Sequence, residues 1–286
     1  MNKAYIQLHL AVLLAGFTGI LGRLIQLNEA WLVWYRVGLT ALTFWVILYF
    51  QKGTVRLGRK NILSIMAVGM IATAHWVTFY ASIKYANVSI GLVCFASIGF
   101  FTSLFEPLLL RTPFRWYEFS LGILTLLGIY LIFHFDWHYG TGIILGLISS
   151  LFASLFPIWN RFFLRTVPAT SLLAWQQTGG FLFLTAILPV YLSYSTIGTQ
   201  VPTLSDWGWI LFLVGGCSVW AFQLSAAALK KLSAFTVNLS YGLEPIYGIL
   251  LAFWIFREDK LLHSGFYLGA SLILLAQILH VRLAKR

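Results

Sequence analysis

The sequence predicts an all-α polytopic membrane protein, with ten transmembrane helices arranged as two inverted five-helix repeats. Three observations predict it. Of 286 residues, 60% are hydrophobic, 17% aromatic and only 9% charged, and the mean hydropathy is +0.86. A water-facing domain carries about 25% charged residues, so this chain cannot cover itself with a wettable surface and its solvent must be lipid. The second observation is ten apolar stretches, each close to the roughly 20 residues that cross a bilayer as a helix. The third is a weak internal echo between the two halves. Soluble enzymes, nucleic-acid binders and disordered scaffolds are excluded on composition alone.

The stretches run over residues 4–22, 31–50, 62–83, 88–110 and 116–134, then 140–160, 170–194, 207–228, 234–256 and 264–281. The first follows Lys3 and contains Gly16, Gly19 and Gly22; it lacks a small-x-small cleavage site and keeps the helix count even, so it reads as a retained span. The second opens on Trp31 and Trp34-Tyr35-Arg36. The third ends in Tyr80-Ala81-Ser82-Ile83-Lys84, and the fourth follows almost at once. The longest polar connections, 51–61 and 195–206, leave no room for an extramembrane domain. The apolar period is helical and does not show the roughly ten-residue alternating segments of an outer-membrane barrel.

The net charge of +11 has a positional meaning. Basic residues accumulate in cytoplasmic loops. With the N-terminus inside, 14 of the 19 Lys and Arg residues fall on inside segments, which predicts cytoplasmic termini and an inner-membrane location. Cys94 and Cys217 both sit inside apolar runs and read as small buried side chains, not as a disulfide framework.

The internal echo pairs Ala81-Ser82-Ile83-Lys84 with Ala227-Ala228-Leu229-Lys230 at an offset of 146, and Gly122 with Gly269 at 147. Trp34-Tyr35-Arg36 matches Trp175-Gln176-Gln177 loosely. Glu106-Pro107 and Glu244-Pro245 look alike but are offset by 138 and are not equivalent in this register. The halves are then 1–137 and 138–286. Five helices is an odd number, so the second half enters the membrane from the opposite side. Inverted repeats of this kind place a binding site near mid-membrane, where the halves meet, and permit alternating access.

The chain also resembles a known family over essentially its whole length. Gly16-Phe17-Thr18-Gly19, Trp34-Tyr35-Arg36, Tyr80-Ala81-Ser82-Ile83-Lys84-Tyr85-Ala86, Leu243-Glu244-Pro245, Phe256-Arg257-Glu258 and Gly265/Gly269 resemble, in order and spacing, the EamA-type ten-helix branch of the drug/metabolite transporter superfamily. The resemblance implies export of amino acids or other small metabolites, or carriage of sugars, nucleotide sugars or drugs. The His75-Trp76 pair followed by Phe79 is similar to the cavity-lining part of helix 3 in the aromatic amino acid exporter branch. One departure stands out: where the family pattern has a proline in helix 4, this chain has Gly99 or Phe100.

Ionisable groups within spans are costly, about 2.5–3.5 kcal/mol each on insertion scales, and carry a functional hypothesis by default. Glu244 lies mid-helix beside Pro245, a candidate hinge, with Asn238 and Tyr241 on the adjoining face; its carboxylate suits a substrate ammonium or a proton. His75 is the second candidate, a neutral imidazole able to bind or relay. Phe79, Trp159 and Trp220 are the expected apolar walls, and Gln223 a neutral polar contact. Arg36, near the outer boundary of helix 2, could hold a substrate carboxylate, but it reads instead as a gating or structural ion pair, with Glu29 the candidate partner, or as a snorkelling side chain. Glu106, near Arg111, reads as a gate or structural ion pair. The expected cavity lies between helices 1, 3, 4, 6, 8 and 9.

The segment His134-Phe135-Asp136-Trp137-His138 imitates a metal cluster, but it reads as an interfacial turn with no further ligand nearby. The chain has no P-loop, nucleophile elbow or zinc spacing. No metal, cofactor or nucleic acid is therefore expected, and no enzymatic activity. The expected partners are a small-molecule substrate and membrane lipids, and the sequence is compatible with a monomer without setting the oligomeric state. A sensor or intramembrane enzyme is the alternative from another class; the short loops and the missing acid/base cluster count against it.

Overall fold

The computed structural model describes residues 3–51, 57–133, 139–193, 201–257 and 264–283. The elements are α1 (Lys3–Leu24), α2 (Glu29–Gln51), α3 (Arg59–Tyr85), α4 (Val88–Phe95), α5 (Ile98–Leu110) and α6 (Trp116–Phe133), then α7 (Gly140–Phe163), α8 (Ala169–Leu192), α9 (Leu204–Val214), a π-helical turn (Gly215–Trp220), α10 (Ala221–Leu229), α11 (Ala234–Tyr241), α12 (Glu244–Phe256) and α13 (Ser264–Leu283). No β-strand occurs among the described residues. The described residues of all ten predicted stretches are mainly helical, with turns at 96–97 and 242–243. Among the described residues, seven segments are long and apolar enough to cross a membrane; Trp116–Leu131, Glu244–Phe256 and Ser264–Ala276 are apolar but shorter.

Two segments are broken helices, and they break alike. The α4/α5 pair and the α11/α12 pair have identical lengths, 8 and 13 residues, and every boundary is displaced by 146, from Val88 to Ala234 through Leu110 to Phe256. The caps repeat as well. Asn87 accepts from the Ile90 N–H at 2.8 Å, and Ser233 from the Thr236 N–H at 3.0 Å, each satisfying an orphan donor of a helix start. Each pair ends on an arginine in the left-handed region, Arg111 at φ 52° and Arg257 at φ 56°.

The breaks have different causes. In the second half Pro245 has no N–H to continue the ladder, so the helix stops at Tyr241 and restarts with Pro245 in the first turn of α12. In the first half the equivalent position is Gly99, and hydroxyls take the place of the proline. The carbonyl of Cys94 accepts from Ser97 Oγ at 2.7 Å and from Ser150 Oγ of α7 at 2.9 Å, a side-chain insertion that opens the ladder. The missing proline therefore does not cost the fold its symmetry at this point.

The packing follows the same exchange. α3 lies against α7 as α1 lies against α10; α4/α5 pack on α7 as α11/α12 pack on α1; α2 meets α8, and α6 meets α13. The α3–α8 contact is very close: a Cβ on Gly69 would fall 2.6 Å from the carbonyl carbon of Gln176, so only glycine allows this approach. The buried apolar residues form two main groups. One gathers around Ile25, Val33, Tyr80, Leu92 and Leu213. The other gathers around Leu8, Ile65, Ile158, Leu229 and Val237, toward the N-terminal end of α1. A central cavity separates much of them. Bulky apolar side chains also cover the outside, including Leu42 at 60%, Trp116 at 73% and Trp254 at 77% exposure, as a lipid-facing surface requires.

Candidate functional site

The cavity holds about 980 Å³ of empty space, its open mouth included, and side chains from both halves line it. Four segments of the first half contribute (α1, α2, α3 and α4/α5) and four of the second (α7, α8, the π turn with α10, and α11/α12). The expected set, the first, third, fourth, sixth, eighth and ninth stretches, is thus extended by the second and seventh, α2 and α8, which bring in Arg36, Gln176 and Gln177.

Arg36 is 2% exposed. Its Nε donates to Ser218 Oγ at 2.9 Å and its Nη1 to Tyr80 Oη at 2.9 Å. The guanidinium carbon lies 4.6 Å from the Trp76 ring centroid and 5.7 Å from that of Phe222. Those two rings stack at 5.4 Å with planes 9° apart, so the cation rests against an aromatic pair. The π turn contributes directly, because Ser218 Oγ donates to the Leu213 carbonyl at 3.0 Å while accepting from Arg36. Single π turns recur at functional sites because they re-aim side chains. The pair expected between Arg36 and Glu29 does not form: Glu29 Oε1 accepts from Tyr191 Oη at 2.6 Å, and Arg36 makes no ion pair among the described residues.

Glu244, at 4% exposure, faces the same cavity from the first turn of α12. Its carboxylate makes no hydrogen bond or ion pair among the described residues. Tyr241 and Ser225 line the cavity beside it, and Asn238 Nδ2 donates to Thr102 Oγ1 at 2.8 Å. His75 is held by α7, with Nδ1 at 2.8 Å from Ser149 Oγ and 3.1 Å from the Ser149 carbonyl. Nε2 makes no hydrogen bond among the described residues. The imidazole is ringed by Phe79, Phe95 and Phe156 at 6.0, 5.4 and 6.0 Å between centroids. Gln177 Oε1 is a further buried acceptor with no partner among the described residues.

His75, Phe79, Asn238, Tyr241 and Glu244 therefore meet in one place, and Arg36 joins them. Three expected wall or contact residues do not. Trp220 is 55% exposed and points outward, and neither Trp159 nor Gln223 lines the cavity. Their places are taken by Trp76, Phe156, Asn160 and Phe222. Asn160 accepts from the Gln176 amide. Pro245 sits at the α11/α12 break, where a hinge was expected. The segment 134–138, read from sequence as an interfacial turn, lies outside the described residues.

Polar ties close both ends of the bundle. Near the α1–α2 corner the Gln26 N–H donates to Asp206 Oδ1 at 2.9 Å, and Lys84 Nζ to the Ile25 carbonyl at 3.3 Å. At the other end Glu106 receives Arg161 Nη1 at 3.2 Å and the Phe235 N–H at 2.8 Å. The partner expected for Glu106, Arg111, is replaced by Arg161 from α7. One carboxylate thus joins α5, α7 and the N-terminus of α11, where the helix dipole favours negative charge.

A helical bundle with a lipid-facing exterior and a largely apolar central cavity, set with a few buried polar groups and shared by two similar halves, fits a membrane transporter. The comparisons give the particular family. The EamA-like transporter family matches residues 2–134 and again 140–282, and the chain belongs to that family, within the drug/metabolite transporter superfamily. A solved chain described only as "Crystal structure of protein" is similar in fold, with a TM-score of 0.72 at 14% identity, over 99% of this chain and 98% of that one. No curated protein matches the chain significantly.

Proposed function

We propose that this protein is a secondary transporter of the inner membrane that exports a small polar metabolite, most simply an amino acid, by alternating access. Its ten helices form two inverted halves, 1–137 and 138–286, with both termini in the cytoplasm. The observation that carries this reading is the cavity: each half supplies four lining segments, and a carboxylate and an imidazole nitrogen without partners among the described residues open into it. The neighbour relations that survive exchange of the halves support the inverted arrangement, since two like units packed in opposite senses can trade conformations. Membership of a transporter family favours transport over catalysis or sensing.

Counterflow in proteoliposomes tests it. Vesicles preloaded with pooled unlabelled amino acids are exposed to trace labelled ones, and wild type is compared with His75→Ala. Specific labels should enter, and less so in the variant. Absence of uptake from every pool, with folded and inserted protein, refutes the amino acid reading.

A further inference from the structure

The cavity contains one buried basic and one buried acidic side chain that make no direct ion pair with each other. Arg36 is pinned to Ser218 and Tyr80 against the Trp76–Phe222 pair, which uses two of its five donors and leaves the fork without a carboxylate. Glu244 likewise makes no direct ion pair among the described residues, although the charge of Arg36 acts on it at longer range. A buried charge is unfavourable unless a direct partner offsets its desolvation. Neutral hydroxyls hold Arg36 from α2 in place, and Glu244 faces the same cavity from the first turn of α12 without pairing with it.

We infer that Arg36 is the carboxylate subsite and Glu244 the ammonium subsite of a single zwitterionic ligand, which lies between them and gives each a direct charged partner at once. This rests on the proposed transport of amino acids and adds to it that the free α-carboxylate and the free α-ammonium are both read. The planar guanidinium suits a carboxylate through two parallel N–H donors. The ligand's remaining atoms lie against the rings around His75. A ligand with one charge leaves the other protein charge buried and unpaired. Sites built to pair a polar group reject analogues that lack it.

The test is competition in wild-type vesicles, followed by charge-specific variants. Counterflow of labelled leucine, or of whichever amino acid the pooled assay takes up, is inhibited with the unlabelled amino acid, its decarboxylated amine and its deaminated carboxylic acid. A lost charged hydrogen bond costs about 1.5–3 kcal/mol, so each single-charge analogue should compete about ten- to a hundredfold more weakly than the zwitterion. Arg36→Lys keeps the charge but loses the fork; it should raise the half-saturating concentration of the amino acid and leave inhibition by the amine unchanged. Glu244→Gln should do the reverse, leaving inhibition by the carboxylic acid unchanged. An amine that competes as well as the amino acid, or an Arg36→Lys that weakens amine and acid alike, overturns the assignment while amino acid transport stands. The wild-type competition needs no variant, so poor folding of either substitution does not protect the proposal. Failure of every amino acid to enter removes the transport reading, and this assignment falls with it.

Discussion

Glu106 offers a quantitative test of what closes one end of the bundle. Its side chain meets Arg161 at 3.2 Å and the Phe235 N–H at 2.8 Å, and the two contacts are unequal in worth. The Arg161 side chain is 35% exposed against 11% for Glu106. A half-wet ion pair of this kind is worth about 0–1 kcal/mol. The bond to the first turn of α11 is buried and charge-assisted, worth about 1.5–3 kcal/mol, with about 0.3–1 kcal/mol more from the helix dipole. Glu106→Ala should therefore lower stability by about 2–4 kcal/mol, and Arg161→Ala by about 1 kcal/mol or less. Equilibrium SDS titration of the purified protein followed by helical signal measures both, and the double variant gives the coupling. Equal costs for the two single variants would show that the ion pair dominates and that the cap on α11 contributes little, which refutes this reasoning.

Four other substitutions probe the same geometry. Gly69→Val should force α3 and α8 apart, since its first added carbon already meets the Gln176 backbone; a loss of about 3 kcal/mol or more by the same titration is expected, as for overpacked cores. Ser149→Ala removes the hydroxyl that meets Nδ1 of His75 and leaves only the Ser149 carbonyl at 3.1 Å, and should lower counterflow severalfold with the helical signal intact; unchanged uptake would mean the carbonyl alone suffices to orient the imidazole. Trp220→Ala should leave uptake unchanged because the ring is 55% exposed on the outer face, whereas Phe222→Ala strips the lining and the stack under Arg36 and should reduce it; the opposite order in a single assay would show the faces of α10 to be misassigned.

The sequence was informative where the physics is local or additive. Lack of charge forces a lipid solvent whatever the fold, and the apolar stretches reflect bilayer thickness. Even the 146-residue register was legible from Lys84 and Lys230, because the segments 88–110 and 234–256 have kept the same length, break and caps. The depth of His75, Asn238, Tyr241 and Glu244 along their helices was legible for the same reason.

Angular position around a helix was less legible, and partner choice was not legible at all. The π turn Gly215–Trp220 adds a residue to one turn, which rotates the start of α10 by about 100° relative to an unbroken helix. A regular wheel therefore misplaces Trp220 and Gln223 and overlooks Phe222. Nothing local announces that Arg161 rather than Arg111 reaches Glu106, that Tyr191 takes Glu29, or that Ser218 and Tyr80 hold Arg36. These pairings join residues that are 44 to 182 positions apart. Composition and period determined that this chain is a helical membrane protein with a few costly polar groups inside. Tertiary packing decided which of those groups neutralise one another and which are left facing the cavity, because charge pairing depends on distance in space and not on distance along the chain.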